Sequence, residues 1–190
     1  MTAADSPSFR HDPDCDLLLE RLVDVPVELV WKAWTDPEHL KAWFVPRPWK
    51  TIECEIDLRP GGIFRTVMQD PDGTVYDDDT GGCYLEVQEP HRLVWTSALG
   101  PGYRPLPAAD GDDGGLQFTA ELTFEAVGQS TRYSVRAIHA SPESAEAHEQ
   151  MGFSGGWSTA LDQLVEHMTG AAGRWTARLF ATSAPCGRAG

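Results

Sequence analysis

Basic side chains and long apolar runs are both scarce in this chain of 190 residues. No segment approaches the ~18 consecutive apolar residues that a membrane-spanning helix needs, so we expect no membrane span. The N-terminus is acidic and polar, whereas a secretory signal starts with basic residues and continues with an apolar run. The lack of such a signal favours a cytoplasmic location.

Acidic residues outnumber basic ones by 29 to 15, which gives a formal net charge of −14. A field of that sign repels a phosphate backbone, so the composition argues against nucleic acid as a partner. Net charge of this kind keeps a globular protein in solution, and we assign it that role.

Sequence motifs for metals, cofactors and catalysis are also missing. The four cysteines, Cys15, Cys54, Cys83 and Cys186, form no C-x-x-C pair, which argues against a zinc knuckle or a redox pair. No glycine-rich phosphate loop, nucleophile elbow or metalloprotease helix occurs. The sequence therefore predicts no cofactor, no metal site and no assigned catalytic residue.

The middle of the chain alternates apolar and polar residues, which is typical of strands with one buried face. In one such segment Ile52, Cys54, Ile56 and Leu58 are predicted to share a face. Turn sequences rich in Gly, Pro and Asp separate the segments, so we predict a sheet of about six sequential antiparallel strands. A first strand and two short helices, the second capped by Asp36, precede this run.

The last element is predicted to be a long amphipathic helix, because apolar residues recur at i, i+3, i+4 and i+7 from Trp157 to Met168. A sheet must bury its apolar face, and this helix is the available partner, so we predict an α+β fold. A strongly curved sheet wrapped around one helix leaves space between them for a ligand.

Three regions are predicted along the chain. Residues 1–14 form a disordered leader, residues 15–168 the folded domain, and residues 169–190 a flexible tail. Inside the domain, residues 100–115 are rich in Gly, Pro and Asp. Two interpretations of this segment stay open: a lid over the mouth of a cavity, or a mobile insertion.

Four segments of the chain are similar to one known superfamily: Trp31–Leu40, Asp57–Gly62, His148–Phe153 and Gly156–Leu164. They resemble the SRPBCC, or START-like, proteins, and among these the group named after the C-terminal domain of activators of the heat-shock protein 90 ATPase. The resemblance implies a START-like helix-grip fold, in which a curved antiparallel sheet wraps around a long C-terminal helix above a deep cavity. It implies no catalytic residue, because the superfamily includes lipid carriers, hormone receptors and cyclases.

The chain contains seven tryptophans, which supply aromatic material for a cavity wall, although each also suits ordinary core packing. We predict that the ligand-binding residues are large and apolar, with two polar exceptions. The predicted set is Trp34, Trp43, Phe44, Trp49, Arg65, Trp95, His139, Met151, Phe153, Trp157 and Leu161.

Polar side chains lead to three more specific hypotheses. His139 continues the apolar face of a strand, and if it faces the cavity it becomes a polar anchor or general base. Arg65 would bind the carboxylate of an acidic ligand if its strand turned it inward; otherwise it lies on the solvent face. The three acids at residues 77–79 are either solvated or a site for a hard cation.

The leading hypothesis is a protein that binds a small, largely apolar molecule in an internal cavity. The first alternative is a cyclase- or hydrolase-like enzyme that uses His139 and Glu53. The second alternative is a cofactor of a chaperone ATPase that acts through the outer face of the sheet. An antiparallel homodimer through the sheet or the final helix also stays open.

Overall fold

The computed structural model describes residues 11–77, 80–107 and 116–180, and for residues 171–180 it describes the backbone alone. Within these ranges the chain forms ten strands and four helices. The strands are β1 (Asp16–Val23), β2 (Lys50–Ile56), β3 (Ile63–Gln69), β4 (Val75–Tyr76), β5 (Gly82–Gln88), β6 (Arg92–Thr96), β7 (Leu99–Gly100), β8 (Arg104–Pro105), β9 (Thr119–Val127) and β10 (Ser130–Ile138). The helices are α1 (Val27–Thr35), α2 (Pro37–Leu40), α3 (Pro142–Gln150) and α4 (Phe153–Phe180).

One antiparallel sheet organises the molecule. Its strand order is β1-β10-β9-β6-β5-β3-β2, with the two-residue β4 paired to β3. The predicted run of about six strands corresponds to β2, β3, β5, β6, β9 and β10, and β1 joins it at one edge beside β10. Together with the long helix α4, this arrangement confirms the α+β helix-grip fold that the sequence predicts.

The core lies between the inner face of the sheet and the helices α1 and α4. Inward residues alternate along the sheet, so that Leu122 of β9 and Val135 of β10 are fully buried. The predicted apolar stripe of α4 faces them, with Leu161, Leu164 and Met168 at 2 % exposure or less. Burying one such side chain contributes about 1.5–3 kcal/mol, so the stripe is a main source of stability.

Polar side chains cap two of the helices, and the cap at Asp36 lies where the sequence predicts it. The carboxylate of Asp36 accepts a hydrogen bond from the backbone N–H of Glu38 at 3.0 Å, and Pro37 occupies the first helical position of α2. The hydroxyl of Ser141 accepts from the N–H of Ser144 at 3.3 Å and caps α3 in the same way. Each cap satisfies a backbone donor that the helix itself leaves unpaired.

The prediction that Ile52 lies on the buried face of its strand is wrong. A bulge shifts the pairing of β2 with β3 between Thr51 and Glu53. Thr51 is consequently buried and Ile52 is exposed, while Cys54 and Ile56 remain partly buried. A bulge adds one residue to one strand, so strict alternation cannot be read across it.

Residues 99–105 form a short ribbon of β7 and β8 joined by a turn at Pro101–Tyr103. The N–H of Gly102 donates to the carbonyl of Gly61 at 2.8 Å, which ties this ribbon to the turn before β3. Gly61 has a φ of +78°, and a Cβ there would lie 2.9 Å from the ring of Tyr103. The remainder of the predicted lid or insertion, residues 108–115, lies outside the described residues.

The backbone of α4 continues to Phe180, beyond Thr169, where the sequence predicts a flexible tail. Residues 181–190 and residues 1–10 of the predicted leader lie outside the described residues. At residues 11–14 the chain makes a turn in which the carbonyl of Asp12 accepts from the N–H of Cys15 at 3.1 Å. Within the described part of the chain, no helix is long and apolar enough to cross a membrane.

Candidate functional site

A cleft of about 1010 Å³ lies between the inner face of the sheet and the N-terminal part of α4. Strands β3, β4 and β6 form one side of it, and the end of α3, the start of α4 and the segment 43–49 form the other. Among the described residues, nine aromatic side chains line it: Trp43, Phe44, Trp49, Phe64, Tyr76, Trp95, Phe118, Phe153 and Trp157.

The floor of the cleft is a connected set of aromatic rings. The ring of Phe64 lies 5.8 Å from that of Phe44 and 4.8 Å from that of Trp95. Trp95 in turn lies 5.4 Å from Phe118 in an edge-to-face arrangement. Such pairs are worth about 0.5–1.5 kcal/mol each beyond the area they bury, so these contacts hold the rings of the floor in place.

The mouth of the cleft carries large apolar side chains that face solvent. Met151 is 74 % exposed, and Trp49, Val75 and Tyr76 are also exposed. The rings of Trp49 and Tyr76 lie 5.0 Å apart across the segment 43–49 and β4. Contiguous exposed apolar surface is typical of binding grooves, whereas single exposed apolar residues are ordinary.

A buried amide holds one wall of the cleft against α4. The side-chain N–H₂ of Gln163 donates to the carbonyls of Trp43 and Val45, at 2.9 and 2.8 Å. Its oxygen accepts from the N–H of Arg47 at 2.9 Å. The segment 43–49 lies in no helix or strand. The amide of Gln163 bonds its backbone groups instead, and this holds Trp43 and its neighbours in position.

The structure places eight of the eleven predicted site residues on the cleft: Trp43, Phe44, Trp49, Arg65, Trp95, Met151, Phe153 and Trp157. The other three do not line it. Trp34 is fully buried behind the wall, with its ring 4.9 Å from that of Trp43, and Leu161 packs into the core. His139 lies behind the imidazole of His148. Helical and strand periodicity identify a buried side, but not which part of it borders empty space.

Arg65 faces the cleft, but its charge is already matched. The guanidinium forms hydrogen-bonded ion pairs with Asp77, which also lines the cleft, and with Glu53 at 3.4 Å. An acidic ligand would have to compete with two carboxylates for this group. The geometry therefore does not favour the hypothesis that Arg65 binds a ligand carboxylate. Of the acids at residues 77–79, Asp78 and Asp79 lie outside the described residues.

His148 is an ionisable residue of the cleft that the prediction missed. Its imidazole lines the cleft, with ring centroids 4.8 Å from Phe118 and 5.1 Å from Phe153. Its Nδ1 lies 2.9 Å from Nε2 of His139, whose Nδ1 lies 3.0 Å from the carbonyl oxygen of Cys15. Burial, and then the neighbouring imidazole of His139, lower the pKa of His148 to about 4.

The sequence held one indication of this pair. The cap at Ser141 and Pro142 starts α3 almost directly after His139, so the helix folds back over the end of β10. Two helical turns later, His148 returns to the same place. Spacing alone did not identify the contact, because it depends on the angle at which α3 leaves the sheet.

The thiol of Cys54 on β2 is held in its neutral form. Burial raises the pKa of Cys54 to about 11, so its thiol is protonated at neutral pH and a poor nucleophile. Within the described residues, no group of three or more His, Cys, Asp and Glu side chains is arranged to hold a metal ion.

The indole N–H of Trp95 is buried and has no hydrogen-bond partner in the described structure.

Comparison with known proteins identifies one family and several structures of the same fold. Residues 24–169 match the family described as Activator of Hsp90 ATPase homolog 1-like protein. A crystal structure from Nitrosomonas europaea is similar at 44% identity and a TM-score of 0.79, covering 86% of this chain and 99% of that one. A crystal structure from Mycobacterium smegmatis has 25% identity and a TM-score of 0.67, covering 85% and 96% of the two chains.

A third similar structure shares the fold at lower identity. The solution structure of the AHSA1-like protein from Aeromonas hydrophila has 24% identity and a TM-score of 0.60, covering 83% of this chain and 94% of that one. None of the curated proteins compared with the chain matches it.

Proposed function

This chain belongs to the Activator of Hsp90 ATPase homolog 1-like protein family, and from that premise we propose that it binds a small, largely apolar molecule in the cleft beneath α4. The observation that carries this proposal is the aromatic cleft of about 1010 Å³. Sites for small molecules commonly enclose about 300–1,000 Å³ and are lined mainly by apolar and aromatic side chains.

Burial of apolar surface supplies a favourable contribution to binding. A ligand that buries about 250 Å² of apolar surface gains about 6 kcal/mol before the cost of association. The aromatic floor around Phe64 and Trp95 presents flat surfaces at fixed angles. Such surfaces favour ring systems over flexible chains, because a rigid ligand loses less conformational freedom on binding.

The charges around the cleft favour an uncharged ligand. Arg65 is paired with Asp77, and the low pKa of His148 leaves that side chain neutral at pH 7. A charged ligand would lose its hydration without gaining an unpaired partner among these groups, which is costly in an apolar site.

A hydrolase- or cyclase-like activity through His139 and Glu53 gains no support from the geometry. Glu53 has an exposed side chain that pairs with Arg65, and it is not among the residues lining the cleft. His139 is buried behind His148. The two groups therefore do not converge on one point, as acid–base catalysis by the pair would require.

The first experiment is native mass spectrometry of the protein purified from its own host, followed by denaturing release and identification of the bound compound. We expect a stoichiometric apolar passenger. If the protein instead arrives empty and also fails to bind any member of a panel of uncharged aromatic compounds, the proposal is wrong.

A matched pair of glycine variants locates the binding site. Gly156 lines the cleft and Gly155 does not, and a Cβ at either position would meet no heavy atom within 4 Å. Gly156→Phe fills the cleft, and we expect it to lose the passenger or to bind about 10-fold more weakly, equivalent to about 1.4 kcal/mol. Gly155→Phe adds the same side chain one residue away and should retain the passenger. Equal retention by both variants would exclude the cleft as the site.

A further inference from the structure

We propose that His148 presents an unprotonated Nε2 to the cleft and thereby selects ligands that carry a hydroxyl group. This inference rests on the proposed function, since it names a chemical feature of the molecule that the cleft binds. It follows from the direction of two hydrogen bonds, at 3.0 and 2.9 Å, that connect a backbone carbonyl to the cleft through two imidazoles.

The first hydrogen bond determines the tautomer of His139. A carbonyl oxygen can only accept, so the contact with Cys15 requires a proton on Nδ1 of His139. A neutral imidazole carries one N–H, and Nε2 of His139 is then an acceptor. The backbone N–H of His139 also donates to the Cys15 carbonyl, at 3.1 Å. This second bond keeps the carbonyl oxygen next to the imidazole of His139.

The second hydrogen bond transfers this constraint to His148. Because Nε2 of His139 accepts, Nδ1 of His148 must donate to it across 2.9 Å. The remaining nitrogen of His148, Nε2, then carries a lone pair and no proton. In the described part of the chain no residue hydrogen-bonds to this nitrogen, and the ring lines the cleft.

Packing keeps the ring of His148 in this orientation. Phe118 and Phe153 contact it with ring centroids 4.8 and 5.1 Å away, and both line the cleft. Phe118 also stacks on His139 at 5.9 Å, so one phenyl ring supports both imidazoles. Reorienting His148 would break its bond to His139 and leave a buried acceptor unpaired.

A fixed acceptor in an apolar cleft discriminates between ligands by their donors. A hydroxyl group can donate to Nε2 of His148, whereas an ether or a carbonyl of the same size would place two lone pairs against each other. Ser97, another polar residue of the lining, is engaged with the backbone: its hydroxyl accepts from the N–H of Phe118 at 3.1 Å. The low pKa of His148, about 4, keeps the lone pair available at neutral pH.

The test uses two probes, 1-naphthol and 1-methoxynaphthalene, in the second of which a methyl group replaces the hydroxyl proton. Their affinities are measured by fluorescence titration at pH 7.5. For the native protein we expect 1-naphthol to bind about 3- to 10-fold more tightly than 1-methoxynaphthalene, the effect of one hydrogen bond. In His148→Phe, which keeps an aromatic ring at this position, the preference should fall to about 1.

The chain offers a matched control in a second histidine pair. Nδ1 of His39 lies 2.9 Å from Nε2 of His167, and neither residue lines the cleft. His39→Phe breaks this pair with the same change of side chain, and it should keep the native preference for 1-naphthol.

A measurement on the native protein does not depend on the folding of any variant. Nitrogen-15 NMR of the histidine side chains should show His148 as the Nδ1–H tautomer, with Nε2 unprotonated. A proton on Nε2 overturns the inference. Binding of both probes with equal affinity also overturns it, and that outcome leaves the proposed function intact. Failure of both probes to bind at concentrations up to their solubility counts against the inference and the proposed function alike.

Discussion

The sheet and α4 enclose two regions that differ in how they are filled. At one end, Leu164 and Met168 of α4 pack against the sheet, and α1 adds Val30 and Trp34; all four are buried. At the other end, the first turns of α4 place Gly156 and Ala160 along the cleft. The same sheet and helix thus form a solid core where α1 covers them and an open site where it does not.

This difference separates the residues that stabilise the fold from those that we propose bind a ligand. Stability comes from the packed region, where the burial of apolar surface is complete. The open region retains apolar surface that the chain itself leaves unburied and that the proposed ligand would cover. Changes in the packed region should therefore affect unfolding, and changes in the open region should affect binding.

The largest expected effect is in the packed region. Leu164 is fully buried, so Leu164→Ala should reduce the free energy of unfolding by about 2–5 kcal/mol through lost burial and a new cavity. Urea denaturation followed by circular dichroism measures this change. A loss below about 1 kcal/mol would mean that the packed region collapses around the gap or is looser than its burial indicates.

Gln163 joins the two regions, and its replacement should affect both. Gln163→Leu leaves three backbone groups, at Trp43, Val45 and Arg47, without their partner. We expect a loss of about 2–3 kcal/mol in unfolding free energy, together with weaker binding of 1-naphthol as the wall at Trp43 loosens. A matched control is Gln150→Leu, whose amide bonds only the exposed side chain of Glu146 and should cost little. Unchanged binding in Gln163→Leu would mean that the wall is held by packing alone.

A pH-dependent effect comes from His148 in the open region. Its pKa is about 4 in the folded protein against 6.5 ordinarily, so between these values the unfolded chain binds a proton that the folded chain does not. The associated stability is fully present above pH 6.5 and is lost as the pH falls through 4. We expect a loss of about 1–2 kcal/mol, allowing for partial exposure, that is absent in His148→Phe. Urea midpoints of both proteins at pH 7 and pH 4.5 measure the difference, and parallel changes would contradict it.

The smallest effect on stability is expected at the mouth of the cleft. Met151 is 74 % exposed, so Met151→Ala should change the free energy of unfolding by less than about 0.5 kcal/mol. It should still weaken the binding of 1-naphthol about 2-fold, because the thioether covers part of the opening. A large loss of stability without a change in binding would reverse the assignment of this residue to the site.

The same contrast explains how much the sequence could predict. Regular patterns gave the strands β9 and β10, the apolar stripe of α4 and the cap at Asp36, because each depends on neighbours along the chain. The cleft exists because no side chain of the described chain fills the space above Phe64 and Trp95. A local sequence pattern cannot predict such an unfilled space. Trp34 shows the consequence: its position in α1 marks it as buried, and it lies one layer behind the cleft wall.

Single contacts between distant segments were also beyond prediction. The bulge at Ile52 reverses the side of one residue without any sequence signal that distinguishes it from its neighbours. Gln163 occupies a position that periodicity leaves polar, yet it is buried because its amide serves three backbone groups. The burial of such residues depends on the geometry of the folded chain and not on helix or strand propensity.

The carbonyl at position 15 has a consequence for mutational tolerance. This oxygen orients His139, and because it belongs to the main chain, any amino acid at that position supplies it. In a saturation mutagenesis library selected for ligand retention, codons for most residues should survive at position 15. Positions 139 and 148, which act through their side chains, should tolerate very few. The resulting map would show strict requirements at the two histidines and none at position 15, although all three residues belong to one hydrogen-bonded series.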